Sequence, residues 1–163
     1  MACKNFFSGV EGKQHYDACV QAGARHVLTS YLQFFQKGDL DFVKRRKLAN
    51  PEINVMVDSG AHTFLTDWQK YSTWTRRQFD DYAEGYARWL HDNRKYLFAA
   101  VELDIDYCLN MVLGGGAVHS TFGTNIVEQW QKNLFIPLES KGLPICFVWH
   151  TQRRLEGWEE MCS

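Results

Sequence analysis

Two kinds of hydrophobic pattern alternate along the chain. Short runs rich in β-branched and aromatic residues, typical of buried strands, occupy residues 5–10, 26–32, 53–58, 96–103 and 145–150. Between them, apolar residues recur at steps of three or four positions, which predicts amphipathic helices. Because a strand and a helix follow each other about five times, at roughly 30 residues per unit, the pattern predicts an α/β fold built from parallel βα repeats.

The clearest helix is predicted from residue 76, because Thr75 and Gln78 have the spacing of a capping box. Its apolar positions follow helical steps: Phe79, Tyr82, Ala83, Tyr86, Trp89 and Leu90. Further helices are predicted at 14–22, 40–48, 125–141 and 153–162, and Pro137 is expected to break or kink the third of these. Segments 62–73 and 107–124 are predicted to be loops, the second one long enough to be functional or mobile.

Chain length leaves two architectures open for these repeats. A closed (β/α)8 TIM barrel needs at least about 200 residues, whereas the chain has 163. We therefore expect a single domain over residues 1–163 that is either about five units of an incomplete barrel or, alternatively, an open doubly wound sheet.

Composition excludes several classes of protein and leaves others open. The 18 Lys and Arg residues nearly balance 19 Asp and Glu, so net charge does not indicate a polyanion partner, although local basic patches remain possible. The basic runs at 44–47, 76–77 and 153–154 could grip phosphates, but we interpret them as solvated helix faces. No early apolar run predicts a signal peptide or a membrane span, so we expect a cytoplasmic protein without membrane contact.

The cysteines and glycines do not indicate a cofactor. Five widely scattered cysteines without a Cys-x-x-Cys pair predict reduced, mostly buried thiols rather than disulfides or a zinc site. The glycine-rich stretches lack both the dinucleotide-binding fingerprint and the phosphate-loop spacing. Acidic and histidine side chains could in principle hold Mg²⁺ or Mn²⁺, but no paired-ligand spacing requires it. We expect neither a cofactor nor a metal.

The predicted strands end on residues that carry chemistry. Asp58 ends the third strand, Asp104 and Asp106 follow the fourth, and His150 ends the fifth. Parallel strands present their carboxyl ends at one edge, so Asp58 and Asp104 are expected to share a pocket, where one carboxylate can transfer a proton while another orients a ligand. Asp58 could instead cap the next helix, and His150 could be a rim histidine bound to backbone.

Aromatic residues cluster just after the third strand. Trp68, Tyr71 and Trp74 either stack on an extruded base or cover one end of the fold.

The Asp-Ser-Gly-Ala sequence at 58–61 resembles the Asp-Ser-Gly-Gly motif of the tRNA-guanine transglycosylases, and more closely the Asp-Ser-Gly-Ala form of their phage and bacterial DNA-modifying relatives. Comparable segments follow in order: Phe-Phe-Ser-Gly-Val-Glu-Gly at 6–12, Val-Leu-Thr-Ser-Tyr at 27–31, Leu-Asp at 103–104, and Leu-Pro-Ile-Cys-Phe-Val-Trp-His at 143–150 before Leu-Glu-Gly-Trp. The resemblance spans nearly all of the chain.

This resemblance implies a (β/α)8 barrel that exchanges guanine for a 7-deazaguanine base in DNA, or in tRNA. It implies that Asp58 is the acid/base residue and that Asp104, with Asp106 as a substitute, reads the polar edge of the purine. His150 stands where the tRNA enzymes place a glutamine, so base specificity stays open. The implied substrate-binding set is Ser59, Gly60, Asp104, Asp106 and His150.

In the family, the nucleophilic aspartate and the zinc site of the tRNA enzymes come from later units of the barrel. The resemblance therefore implies an amino-terminal part that is inactive until a further segment or a second chain completes it, in the host cytoplasm if the gene belongs to a phage. Two alternatives remain: a non-catalytic module that binds nucleic acid or a base, including one half of a split enzyme, and a metal-dependent phosphoesterase on an open sheet.

Overall fold

Four parallel strands form the central sheet of the computed structural model, which describes residues 5–10, 12–117 and 120–148. The strands are β1 (His26–Ser30), β2 (Asn54–Asp58), β3 (Ala99–Val101) and β4 (Ile145–Cys146). They lie side by side in chain order, each paired in parallel with the next. The predicted α/β class with parallel βα repeats is confirmed.

One helix precedes β1, and the others connect successive strands. They are α1 (Lys13–Gln21), α2 (Tyr31–Lys37), α3 (Phe42–Ala49), α4 (Ala61–Thr66), α5 (Arg76–Asn93), α6 (Asp106–Val112), α7 (Phe122–Trp130) and α8 (Ile136–Glu139). Short 3₁₀ turns cover Trp68–Tyr71 and Arg94–Tyr96, and a π-helical turn, Gln131–Phe135, joins α7 to α8.

The two faces of the sheet differ in burial. In β2, Val55 and Val57 are buried in the hydrophobic core, whereas the alternate residues Asn54, Met56 and Asp58 are partly exposed. Because side chains alternate across a strand, Asp58 points to the opposite side of the sheet from the core residue that precedes it. The strand thus delivers a carboxylate to the more open face.

Helix α5 confirms its predicted start and its predicted buried face. The amide of Gln78 donates to the hydroxyl of Thr75 at 3.4 Å, and the amide of Thr75 donates to Gln78 Oε1 at 2.8 Å, which completes the capping box. All of the predicted apolar positions are buried. Two of them, Tyr82 and Tyr86, also hydrogen-bond to backbone at the strand ends.

Three predicted boundaries are wrong for the same reason. The strand predicted at 26–32 ends at Ser30, because Tyr31 and Phe34 take helical spacing and pack into the core as part of α2. The predicted loop 62–73 contains most of α4 and a 3₁₀ turn, and the predicted loop 107–124 contains most of α6 and the start of α7. Each missed helix is only one or two turns long, too short for a repeating apolar pattern.

The predicted effect of Pro137 is also only partly right. Helical backbone continues from α7 through the π turn into α8, where Pro137 is the second residue. Within α8 this is a first-turn position, where proline is tolerated, and the π-helical turn before it interrupts the regular α-helical hydrogen bonding. The local change in helix type takes the place of a break.

The first, fourth and fifth predicted strands are shorter than expected. Segment 5–10 forms one parallel bridge, Phe7 to Val27, and 96–103 and 145–150 shrink to β3 and β4. Residues 149–150 and the helix predicted at 153–162 lie outside the described residues. Among the helices of the described ranges, none has both the length and the apolar character needed to cross a bilayer.

Candidate functional site

A cavity of about 540 Å³ lies at the carboxyl ends of β2 and β3. Pairing between β1 and β2 continues to Ser30 opposite Asp58, but pairing between β2 and β3 ends earlier, at Val57 opposite Ala100. The cavity therefore occupies the place where the two strands stop pairing. Its size falls within the range of about 300 to 1,000 Å³ that is usual for small-molecule sites.

Three carboxylates line this cavity: Asp58 at the end of β2, Asp104 after β3, and Asp106 at the first position of α6. Asp104 is partly exposed and Asp106 is 8% exposed. The predicted meeting of Asp58 and Asp104 in one pocket is thus present in the structure. Carboxylate oxygens accept hydrogen bonds, so this wall suits a ligand edge rich in N–H groups.

The turn after β2 fixes the carboxylate of Asp58. The amide of Gly60 donates to Asp58 Oδ2 at 2.9 Å. Gly60 has φ +94°, and a Cβ added to it would lie 2.4 Å from Cβ of Leu32, so both conformation and space require glycine. Gly60 itself is the N-cap of α4, and no side chain caps that helix. The interpretation of Asp58 as an ordinary N-cap is therefore not what the structure shows.

The surroundings of Asp58 raise its pKa above the usual range. Burial is the largest cause and the negative charge of Asp104 adds to it, while the amide of Gly60 and the imidazole of His62 act in the opposite direction. A carboxyl group with a raised pKa holds its proton closer to neutral pH. Such a group can donate a proton to a leaving group and later take one back.

Two predicted binding residues lie beside the cavity rather than in its wall. Ser59 is fully buried, and its carbonyl accepts a hydrogen bond from the hydroxyl of Tyr82 at 2.7 Å. The Gly60 amide is occupied by Asp58. Their contact with a substrate stays a prediction, and His150 lies outside the described residues.

Sequence reasoning missed several residues of the cavity wall. His62, on α4 and four residues after Asp58, is exposed and lines the cavity, and Tyr107, Cys108 and Asn110 line it from α6. These positions were expected in loops. The spacing of Cys108, Leu109 and Val112 was the available signal for α6. Burial raises the pKa of the Cys108 thiol to about 12, so this thiol is neutral at physiological pH and is a poor nucleophile.

A side-chain clamp holds the wall formed by α6 and α7. Asn110 Nδ2 donates to the carbonyl of Ser120, and Asn110 Oδ1 accepts from the amide of Gly123, both at 2.8 Å. A Cβ at Gly123 would lie 2.2 Å from the carbonyl oxygen of Asp106, so the two helices meet at van der Waals distance. The clamp fixes the start of α6 and with it Asp106.

The aromatic residues after β2 have a structural role in the described residues. Tyr71 stacks on Phe64 with ring centroids 4.2 Å apart, and Trp74 packs against Phe79 and Tyr82. Trp68 packs on the edge of the same core. None of Trp68, Tyr71 and Trp74 lines the cavity, so the expectation that they stack on a base is not supported.

Ion pairs engage several of the basic residues considered for phosphate contact. Arg45 pairs with Asp39 at 2.7 Å, Arg46 Nη1 lies 3.1 Å from Asp17, and Arg76 pairs with Asp80 at 2.9 Å. Lys47 donates to the carbonyls of residues 51 and 53. These contacts support the interpretation of the runs at 44–47 and 76–77 as helix faces, and the run at 153–154 lies outside the described residues. Across the described ranges, no group of three or more His, Cys, Asp or Glu side chains could hold a metal ion.

Comparisons with known proteins give no relative for this chain: no family model, no curated protein and no solved structure matches it.

Proposed function

We propose that this chain forms the acid/base and base-recognition half of a guanine transglycosylase-like site that exchanges guanine for a 7-deazaguanine base. One observation carries the proposal: Asp58 and Asp104 line one cavity at the ends of adjacent parallel strands, and Asp58 has a raised pKa. Base exchange requires one carboxyl group that moves a proton and another that accepts hydrogen bonds from the purine.

The order of the strands supports placing this site in a barrel-like fold. In the described residues, the order of the strands across the sheet is the same as their order along the chain, β1-β2-β3-β4. A doubly wound sheet reverses its strand order at the point where its ligand binds, whereas a (β/α)8 barrel adds each strand beside the last. We therefore propose that the four units belong to a TIM-type barrel, whose ligands bind at the carboxyl ends of the strands.

In the proposed reaction, Asp58 protonates the guanine that leaves the sugar and takes back a proton from the incoming 7-deazaguanine, so the enzyme carries no net proton change. Asp104 accepts hydrogen bonds from the N–H groups on the purine edge, and Asp106 lies beside it. Cleavage of a glycosidic bond develops positive charge on the sugar, which a carboxylate nucleophile captures in retaining enzymes. We assign that nucleophile to no described residue and propose that a further segment or a second chain supplies it.

The proposed substrate is guanine in DNA, with tRNA as the second choice. The preference rests on the Asp-Ser-Gly-Ala sequence at 58–61, which resembles the DNA-modifying branch more closely. A base inside a duplex must leave its stack to reach a cavity of this kind.

The test is incorporation of labelled 7-deazaguanine into duplex DNA and into tRNA by the protein as its gene encodes it, together with any chain that co-purifies with it from its native host. We expect incorporation into DNA that Asp58→Asn abolishes and that the exposed control Asp81→Asn leaves unchanged. Equal signals from wild type and Asp58→Asn would contradict the proposal. Salt-dependent DNA binding without incorporation would instead favour a non-catalytic base-binding module.

A further inference from the structure

Two tyrosines of α5 reach the strand ends from the side of the sheet opposite Asp58. The hydroxyl of Tyr86 lies 2.8 Å from the carbonyl oxygen of Val101 on β3 and 3.2 Å from that of Val57 on β2. The hydroxyl of Tyr82, one helical turn earlier, donates to the carbonyl of Ser59 at 2.7 Å. Both rings are buried in the core, so neither hydroxyl is available to a ligand.

These hydrogen bonds lie at the point where the backbone pairing between β2 and β3 ends. Register between β2 and β3 ends at Val57 opposite Ala100, and the cavity opens just beyond. The hydroxyl of Tyr86 lies within hydrogen-bond distance of two carbonyls, one on each strand, and can donate to either, so the phenol bridges the gap between the strands. The residues bound by the two tyrosines immediately flank Asp58 along the chain, at 57 and 59.

We infer that Tyr82 and Tyr86 are positioning residues that hold the ends of β2 and β3 at a fixed separation, and so fix Asp58 relative to Asp104. The inference rests on the proposed function for its catalytic consequence, but its geometric part does not. Neither tyrosine touches the cavity, so both act through the backbone on either side of the acid/base carboxyl. Misplacement of a reacting group by about 1 Å can cost about 100-fold in rate.

The rigidity of α5 makes such a brace effective. The helix is 18 residues long, begins at a complete capping box and buries one whole face, so its tyrosines cannot follow a movement of the strands without moving the helix. Tyr31 packs on both rings, with centroids 5.6 Å from Tyr82 and 4.9 Å from Tyr86. The phenols are therefore fixed at both ends, by ring packing and by hydrogen bonds.

Tyr86→Phe and Tyr82→Phe test the inference, with Tyr16→Phe as the matched control. Tyr16 is also buried, but its hydroxyl makes no hydrogen bond within the described residues, so its removal breaks none. The first readout is the titration of the Asp58 carboxyl carbon by ¹³C NMR in the full chain, which needs no substrate. The second is the rate of base exchange, resolved into kcat and KM.

Several charged or titratable groups face Asp58 and are unchanged by these substitutions: Asp104 after β3, Asp106 on α6 and His62 on α4. In Tyr86→Phe we expect the strand ends to separate and water to reach Asp58. Because burial is the main cause that raises its pKa, the midpoint should move down toward the ordinary aspartate value, whereas Tyr16→Phe should titrate like wild type. We expect kcat to fall about 10- to 100-fold with KM within about twofold.

A folded Tyr86→Phe whose Asp58 midpoint equals that of wild type, or rises, would overturn the inference, because a purely structural tyrosine lowers stability without moving a titration. If Tyr86→Phe does not fold, Tyr82→Phe is decisive, since it removes only the bond to Ser59, and the same criteria apply to its midpoint. Absence of base exchange in wild type, assayed together with any chain that co-purifies with it, would contradict the proposed function. The titration would still decide the positioning role.

Discussion

At the scale of single residues, Asp58 is held in an unfavourable environment for a carboxylate. The pKa of Asp58 in the folded state is raised, mainly by burial. As the pH rises, the carboxyl group of the unfolded chain therefore ionises first, at the pKa of an ordinary aspartate, about 3.9. Ionisation therefore lowers stability as pH rises through that value, and the loss is complete above the folded-state pKa. Asp58→Asn removes this cost and keeps an oxygen that can accept from the Gly60 amide.

We predict that Asp58→Asn unfolds at higher urea concentration than wild type at pH 7, and that the difference disappears below about pH 4. Stabilisation on removal of a catalytic group is expected where a site is built for function rather than stability. Urea titrations at several pH values measure this directly. A variant less stable than wild type at pH 7 would show that the ionised carboxylate is favourably held, and the acid/base role would lose its physical basis.

We predict that Gly60→Ala lowers the free energy of unfolding for two separate reasons. Alanine there must adopt a left-handed conformation, which costs about 1–2 kcal/mol, and must also displace Leu32, for which overpacking costs about 1–3 kcal/mol more. Gly38, which ends α2 with φ +65° and open space around it, is the matched control, because alanine there meets only the conformational cost. Equal losses of unfolding free energy for the two variants would show that the contact with Leu32 relaxes freely.

At the scale of elements, α5 supports the site, because its tyrosines hydrogen-bond to the backbone at the ends of β2 and β3. Removing its cap with Thr75→Ala should lower the free energy of unfolding by about 1 kcal/mol, since the amide of Gln78 loses the hydroxyl that accepts its hydrogen bond. The exposed Thr73, two residues earlier, is the control, and Thr73→Ala should change it by less than about 0.5 kcal/mol. Urea unfolding compares the two variants. If the free energy of unfolding of Thr75→Ala equals that of wild type, packing alone fixes the start of α5.

The elements also show which features can be predicted from sequence. Long periodic patterns carry their own signal, so α5 and the βα alternation are correctly predicted. Strand β2 is correctly predicted to end on Asp58 because a buried β-branched run meets a polar residue and a glycine turn. The cavity wall is different: α4 and α6 have 6 and 7 residues, and burial against α7 and the core, rather than local pattern, makes them helical.

The same limit explains the missed site residues. Asp58 and Asp104 were predicted because parallel topology alone brings strand ends together. His62, Tyr107 and Asn110 reach the cavity only through helices whose existence depends on tertiary packing. The bonds of Tyr82 and Tyr86 to the strand ends are likewise invisible in sequence, where both residues read simply as the apolar face of a helix.

At the scale of the whole molecule, the account depends on a cavity that accepts a flat heterocycle with an N–H-rich edge. Three carboxylates line it, and the strands that deliver two of them, β2 and β3, lie side by side in the parallel sheet. Binding of the free base is the most direct consequence, because it requires neither a nucleic acid nor the nucleophile that we place in another segment.

Calorimetric titration of free 7-deazaguanine into the protein is therefore the measurement that tests the central claim. We predict saturable binding by wild type, no comparable binding of 7-deazaadenine, and a loss of affinity of about 10- to 100-fold in Asp104→Asn, which corresponds to a lost charged hydrogen bond. Asp81→Asn should bind like wild type. Absence of binding by wild type, or equal affinity in Asp104→Asn, would contradict the account.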